Sequence, residues 1–106
     1  MLDSLTSNEV KKLFEKGKRI KGKDISLIIG ESDSGRFRFA VLPAKVARAT
    51  KRNAVRRAVR EAVRSFREKL PQKKTAALIT SEKILLKSKK ELQNIVAGMF
   101  SSGGLL

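Results

Sequence analysis

Apolar residues recur along this chain with two different periods, and the change from one to the other marks its elements. Val10, Leu13 and Phe14 stand at i, i+3 and i+4, which predicts a helix over about Ser7 to Lys16. Thr6 and Glu9 have capping-box spacing at its start, and Gly17 supplies a stop. After a basic linker, Lys18 to Lys23, the run Ile25 to Ile29 reads as a strand. Glu31 to Gly35 are turn formers. Arg36 to Leu42 alternates, with Phe37, Phe39 and Val41 on one face and Arg36 and Arg38 on the other. The two strands are expected to form an antiparallel hairpin closed by Pro43. A long helix is expected over Lys51 to Leu70, with Thr50 as its N-cap and Pro71 just beyond. Thr75 to Thr80 reads as a third strand. A last helix follows Ser88, which forms a second capping box with Glu91, and Leu92, Ile95, Val96 and Met99 make its stripe. The final residues, 101–106, are expected to fray.

This α-β-β-α-β-α order predicts an α+β fold, a small two-layer sandwich with a mostly antiparallel sheet packed on helices. At 106 residues the chain is expected to form one domain, 1–106.

Composition changes the picture from fold to partner. The net charge is +15, from 25 Lys and Arg against 10 Asp and Glu. A surface this basic binds polyanions, because each neutralised phosphate releases condensed counterions. Cys, His, Trp and Tyr are all absent from the sequence. That excludes disulfides, thiolate zinc sites, cysteine nucleophiles and the commonest general base. No apolar run approaches the ~20 residues that span a bilayer, and no signal-peptide pattern opens the chain, so a cytoplasmic setting is expected.

The charge is concentrated. Ten of the basic residues but only two of the acidic ones lie between Lys45 and Lys69. At about 100° per residue, with Val55 at zero, Ala58, Val59, Ala62, Val63, Phe66 and Leu70 fall on one face. Arg56, Arg60, Arg64 and Arg67 fall together at roughly 100–180°, with Asn53 among them and Arg57 just beyond. Glu61 and Glu68 lie further round. Every basic residue from Arg52 to Arg67 is Arg. Lys would solvate a helix equally well, whereas the planar guanidinium suits phosphate and base stacking.

Ala49-Thr50-Lys51-Arg52-Asn53-Ala54-Val55-Arg56-Arg57-Ala58-Val59-Arg60-Glu61 resembles the signature of the bacterial ribonuclease P protein component. Lys45 and Arg48 fit the basic loop that precedes it, with Ala47 in place of Gly. Leu13-Phe14-Glu15-Lys16-Gly17 looks like the family's first-helix ending, and Arg38-Phe39-Ala40-Val41 like its second-strand signature with Ala40 in place of Gly. The chain departs from the family at Asp3-Ser4-Leu5-Thr6, where basic residues are usual, at Val10, where a second Phe is common, and in a short loop at Pro43-Ala44-Lys45.

The resemblance implies a protein subunit that binds a large catalytic RNA and supports removal of the 5′ leader from precursor tRNA. Magnesium ions serve the RNA active site and none is expected on the protein alone. No catalytic and no metal-ligating side chain is expected on the protein. It also implies a left-handed strand-helix-strand crossover, rare among such connections. Lys45, Arg48, Lys51, Arg52, Asn53, Arg56, Arg57, Arg60 and Arg64 are the candidates for the catalytic RNA. Phe14, Phe37, Phe39 and Val41 are the candidates for a cleft that takes the single-stranded leader, since bases stack on aromatic faces. No membrane partner and no small-molecule substrate is expected. A small basic ribosomal or other structural RNA-binding protein is the alternative. A helix-turn-helix DNA reader fits less well, because no helix stands a short turn before the arginine helix.

Overall fold

The structure, a computed structural model, describes residues 5–32 and 35–106. Helix α1 (Ser7–Lys16) begins with the expected capping box, Thr6 and Glu9 each bonding the other's backbone N–H. Strand β1 (Lys18–Ile20) lies where the basic linker was expected. It pairs antiparallel with β2 (Ile25–Glu31). Strand β3 (Arg38–Pro43) leads to α2 (Ala49–Arg64), and β4 (Lys74–Thr80) to a short 3₁₀ helix, Glu82–Leu86. Helix α3 (Lys89–Ser102) closes the chain with the expected Ser88–Glu91 capping box.

The sheet order is β1-β2-β4-β3. The expected β2–β3 hairpin is therefore absent. β4 inserts between the two strands, antiparallel to β2 and parallel to β3. The continuous run Thr75–Leu78 is buried, as a central strand covered on both faces requires. Pro43 ends the edge strand β3, where its missing N–H removes nothing from the ladder. The turn before β4 also keeps the ends of the β2–β3 connection apart. Ser32 N–H donates to the Lys73 carbonyl, and Lys73 N–H donates to Gly35. Asp33 and Ser34 of that expected turn lie outside the described residues.

Two cores flank the sheet. Phe39, Val41, Leu27, Ile29, Ala76 and Leu78 face α2 and α3, where Val55, Val59, Val63, Val96 and Phe100 meet them. Leu13 of α1 packs on Ile28 and Ala77 across the opposite face. The helices thus cover both faces of the sheet, with α1 alone on its side. Gly17 lets α1 turn down onto the sheet. A Cβ there would stand 2.4 Å from Ile28 Cγ2 and 2.6 Å from the Leu13 carbonyl oxygen. Gly17 has φ −75°, so close approach and not a left-handed turn explains the residue.

Two ends differ from expectation. α2 stops at Arg64 and not Leu70. Ser65 Oγ donates to Ala62 O, and the chain beyond tightens into three-residue turns such as Phe66 N–H to Val63 O. Phe66 and Leu70 still pack on the core. The tail is not frayed: Leu105 is buried, and its N–H donates to Phe100 O through a left-handed turn at Gly104.

Candidate nucleic-acid interface

The α2 helix buries Val55, Val59, Ala62 and Val63 and turns its arginines outward. Asn53, Arg56, Arg57, Arg60 and Arg64 line one shallow groove on its outer surface, together with Glu61. Glu61 was expected outside the strip, and it forms the rim beside Arg57. Arg56, Arg60 and Arg64 are half-buried, so their stems lie along the helix while the guanidinium groups reach the groove. Arg56 Nη1 donates to Asn53 Oδ1 at 3.3 Å, which ties Asn53 into the arginine row.

The helix starts two residues earlier than expected. Arg48, not Thr50, is the N-cap, and no side chain caps the free amides. No acidic residue stands in the first turn. The positive end of the helix dipole therefore has no cap or acidic residue of its own, and Lys45, Arg48 and Lys51 are exposed around it. Lys45 holds a left-handed φ of 58°, a conformation few non-glycine residues adopt. Val46 is buried next to it and anchors the loop. Arg52 does something different from its neighbours. Its Nη1 donates to the carbonyls of Val46 at 3.1 Å and Ala47 at 2.7 Å, clamping the loop to the helix.

A second feature lies on the α1 side. On this face Ala40, Ala77 and Ile28 stand side by side across β3, β4 and β2. The next row out is Leu42, Ile79 and Ser26. Leu13 seats α1 beside the inner row. Glu9 leans toward Arg38 at the far end of β3 and accepts a two-pronged bond from its guanidinium. Glu9 Oε1 also accepts the Thr6 backbone N–H at 2.9 Å. That backbone bond, and then Arg38 against some opposing desolvation, holds the Glu9 carboxyl below its ordinary 4.5. With Glu9 on that flank, helical phase sets Val10 and Phe14 on the other flank of α1, and Leu5 packs with Leu42 and Ile79 against the Leu13-Ile28-Ala77 core. Ser26, Leu42 and Ile79 are half-buried, so this part of the sheet face beside α1 is only partly covered. Phe14 is 40% exposed, with the Arg19 guanidinium 5.5 Å from its ring centre.

The sequence model of ribonuclease P matches residues 5–102. The chain belongs to the ribonuclease P protein family. The fold is similar to that of the Staphylococcus aureus RNase P protein, with a TM-score of 0.85 at 15% identity, covering 99% of this chain and 98% of that one. It is similar also to the RNase P protein from Thermotoga maritima, with a TM-score of 0.76 at 18% identity, covering 86% and 87%. A comparison with curated proteins gives no match. Membership of the ribonuclease P family implies a role in a ribonuclease complex with an RNA partner. Among the described residues no helix is long and apolar enough to cross a membrane. None of their acidic side chains cluster in threes as a metal-binding set.

Asn53, Arg56, Arg57, Arg60 and Arg64 fall together in one groove, Arg48 and Arg52 lie at the helix start, and the aromatic candidates do not come together at one site. Phe39 and Val41 are 4% and 5% exposed in the core under α2 and α3, on the face away from α1. Phe37 joins them, its ring 6.1 Å from Phe39 and 6.0 Å from Phe100. These three do not line a cleft beside α1. Of the four, Phe14 alone stands on α1, and it is exposed. Val10, Ser26, Leu42 and Ile79 are half-buried residues of this region that the sequence does not single out. The strand alternation held the signal: Ala40 and Leu42 are the partners in alternation to Phe39 and Val41.

Proposed function

We propose that this chain is the protein subunit of a ribonuclease P ribonucleoprotein, binding the catalytic RNA through α2 and the 5′ leader of precursor tRNA through the surface beside α1. The observation that carries the reading is the single groove of Asn53, Arg56, Arg57, Arg60 and Arg64 on a helix whose opposite face is fully buried. Guanidinium forks spaced along a helix match phosphates spaced along an RNA strand. Lys45, Arg48 and Lys51 extend the surface to the open helix N-terminus, and Arg52 positions the loop that carries them. Beside α1, Phe14 offers the aromatic face, and Val10, Leu42, Ile79 and Ser26 offer a largely aliphatic surface for ribose and base edges.

Catalysis is assigned to the RNA. The sequence holds neither His nor Cys to act on a phosphodiester. Magnesium held by the catalytic RNA would supply charge stabilisation at the scissile phosphate of the precursor tRNA. The chain's own residues bind, orient and screen charge. The test is reconstitution at low magnesium. Protein with a bacterial ribonuclease P RNA is expected to cleave precursor tRNA at the 5′ end of the mature sequence. Specific cleavage by rigorously RNA-free protein would overturn the division of labour.

A further inference from the structure

We propose that the cleft at the C-terminal end of α2 is a nucleobase-binding site, which takes one unpaired base of the catalytic RNA against Phe66. Arg64, Ser65, Phe66, Arg67, Glu68 and Lys69 line this open cleft, whose volume is about 510 Å³. That lies within the roughly 300–1,000 Å³ of ligand pockets. Among the five Phe, Phe66 is the one that the fold leaves without an aromatic or cationic partner. Phe37 meets the rings of Phe39 and Phe100, and Phe14 lies under the Arg19 guanidinium. Phe66 packs against the core yet is only half-buried, and among the described residues it has no ring or cation–π contact. A partly open aromatic side chain beside cations is what an unstacked RNA base lies on.

The end of the helix builds the cleft. After Arg64, α2 gives way to three-residue turns: Phe66 N–H donates to Val63 O at 3.0 Å and Arg67 N–H to Arg64 O at 3.2 Å. In such turns side chains three positions apart eclipse, which sets Arg67 beside Arg64. The local charge suits a base. The negative end of the helix dipole and the Glu68 carboxylate favour the N–H groups of a base edge, while Arg64, Arg67 and Lys69 keep the surroundings positive for the flanking phosphates. Continuity decides the occupant. Arg64 lines both this cleft and the arginine groove, so the RNA held along α2 reaches the cleft without a break. The surface assigned to the leader lies on the other face of the sheet. The inference rests on the reading of α2 as the surface for the catalytic RNA, and adds to its phosphate contacts a site that holds a base. A base inside a duplex is closed to Phe66, so the RNA presents a loop or bulge nucleotide there.

The test uses the full chain and a bacterial ribonuclease P RNA without precursor tRNA. Phe66→Leu keeps an apolar side chain and removes the ring. It is expected to weaken RNA binding about tenfold with the log–log salt slope unchanged, since a stacked base releases no counterions. Phe66→Tyr keeps the ring and is expected to bind within about threefold of wild type. Wild-type affinity of Phe66→Leu, a flattened slope, or a loss that Phe66→Tyr shares would overturn the site. A second measurement holds whatever Phe66→Leu does to stability. Phe66→Trp places a single Trp in the cleft, because the sequence has none of its own. Its emission is expected to be quenched by the ribonuclease P RNA and unchanged by a saturating, fully paired RNA duplex. Equal quenching by both, quenching by neither, or quenching that appears only once precursor tRNA is added would overturn the proposal. An Arg56→Ala, Arg60→Ala variant run alongside separates the two readings. Wild-type RNA binding by that variant marks failure of the α2 surface. Weak binding by it beside wild-type binding by Phe66→Leu marks failure of the cleft alone.

Discussion

The two sides of the sheet present surfaces built in opposite ways. On one side α2 sets five polar side chains in a row through helical period alone, each placed by residues three or four positions away. On the other, Ser26, Leu42 and Ile79 come from three strands that only the sheet order brings together, beside a helix whose flank carries Val10 and Phe14. The first surface is local and strongly charged. The second is non-local and largely aliphatic. A row set by helical period is therefore expected to tolerate substitution in its neighbours, whereas the surface beside α1 depends on how that helix is seated.

The largest effect tests where the aromatics lie. Phe39→Ala is expected to destabilise the fold by about 3–5 kcal/mol, as removal of a buried Phe does, measured by denaturant unfolding. A stable Phe39→Ala protein with weakened leader binding would return Phe39 to the leader surface. Next comes the seat of α1. Gly17→Ala forces a methyl against Ile28 and the Leu13 carbonyl and is expected to cost about 1–3 kcal/mol. Its signature is a divided one: discrimination between precursor and leaderless tRNA falls, while affinity for the catalytic RNA holds. Equal loss of both would merge the two surfaces into one.

The arginine row gives intermediate effects. Arg56→Ala and Arg60→Ala are each expected to weaken catalytic RNA binding by about tenfold and to flatten the salt slope by about one unit, with stability moved by less than about 0.5 kcal/mol. Arg52→Ala is expected to behave differently, losing about 1 kcal/mol of stability with the clamp on Val46 and Ala47. Thermal melting beside a binding titration tells the two kinds of arginine apart.

The smallest effect concerns the ion pair that steadies α1. The folded-state pKa of Glu9 is depressed, so its contribution is present above about pH 4.5 and is lost as pH falls through the folded value. Glu91, held low by the Ser88 backbone N–H, acts in the same direction. Glu9→Gln keeps an acceptor for the Thr6 N–H and is expected to remove about 0.5 kcal/mol at neutral pH, with a weaker fall in stability below pH 4.5. An unchanged acid profile would show that the pair with Arg38 does not matter to folding.

What the sequence made legible follows the same division. Both capping boxes, the three helices, the buried stripe of α2 and its arginine row depend on spacings of three and four residues, and these were readable directly. The insertion of β4 between β2 and β3 was not, because pairing partners far apart in sequence leave no local period. The unbroken run Thr75-Ala76-Ala77-Leu78-Ile79-Thr80 carried the hint, since a strand with one solvated face would alternate. Phe37, Phe39 and Val41 differ from expectation for a separate reason: a two-layer sandwich leaves one sheet face open, whereas helices cover both faces here and these three lie under α2 and α3. β1 escaped notice because three residues rich in Lys and Arg read as linker, and only pairing with β2 makes them a strand. The end of α2 at Arg64 was hidden because Phe66 and Leu70 keep the helical stripe after the helix itself has stopped.

The claim of two separate RNA surfaces is tested most directly by position-specific crosslinking. The sequence has no cysteine, so single thiols can be placed without background. A short thiol-linked photocrosslinker at Glu61→Cys reports the α2 groove, and one at Ser26→Cys reports the sheet face beside α1. In the complex with catalytic RNA and precursor tRNA, the Glu61→Cys probe is expected to mark the catalytic RNA. The Ser26→Cys probe is expected to mark leader nucleotides, and to lose its signal when mature tRNA replaces the precursor. Ser26→Cys crosslinks that fall on the same catalytic RNA nucleotides as those of Glu61→Cys, or that persist without a leader, would contradict the account.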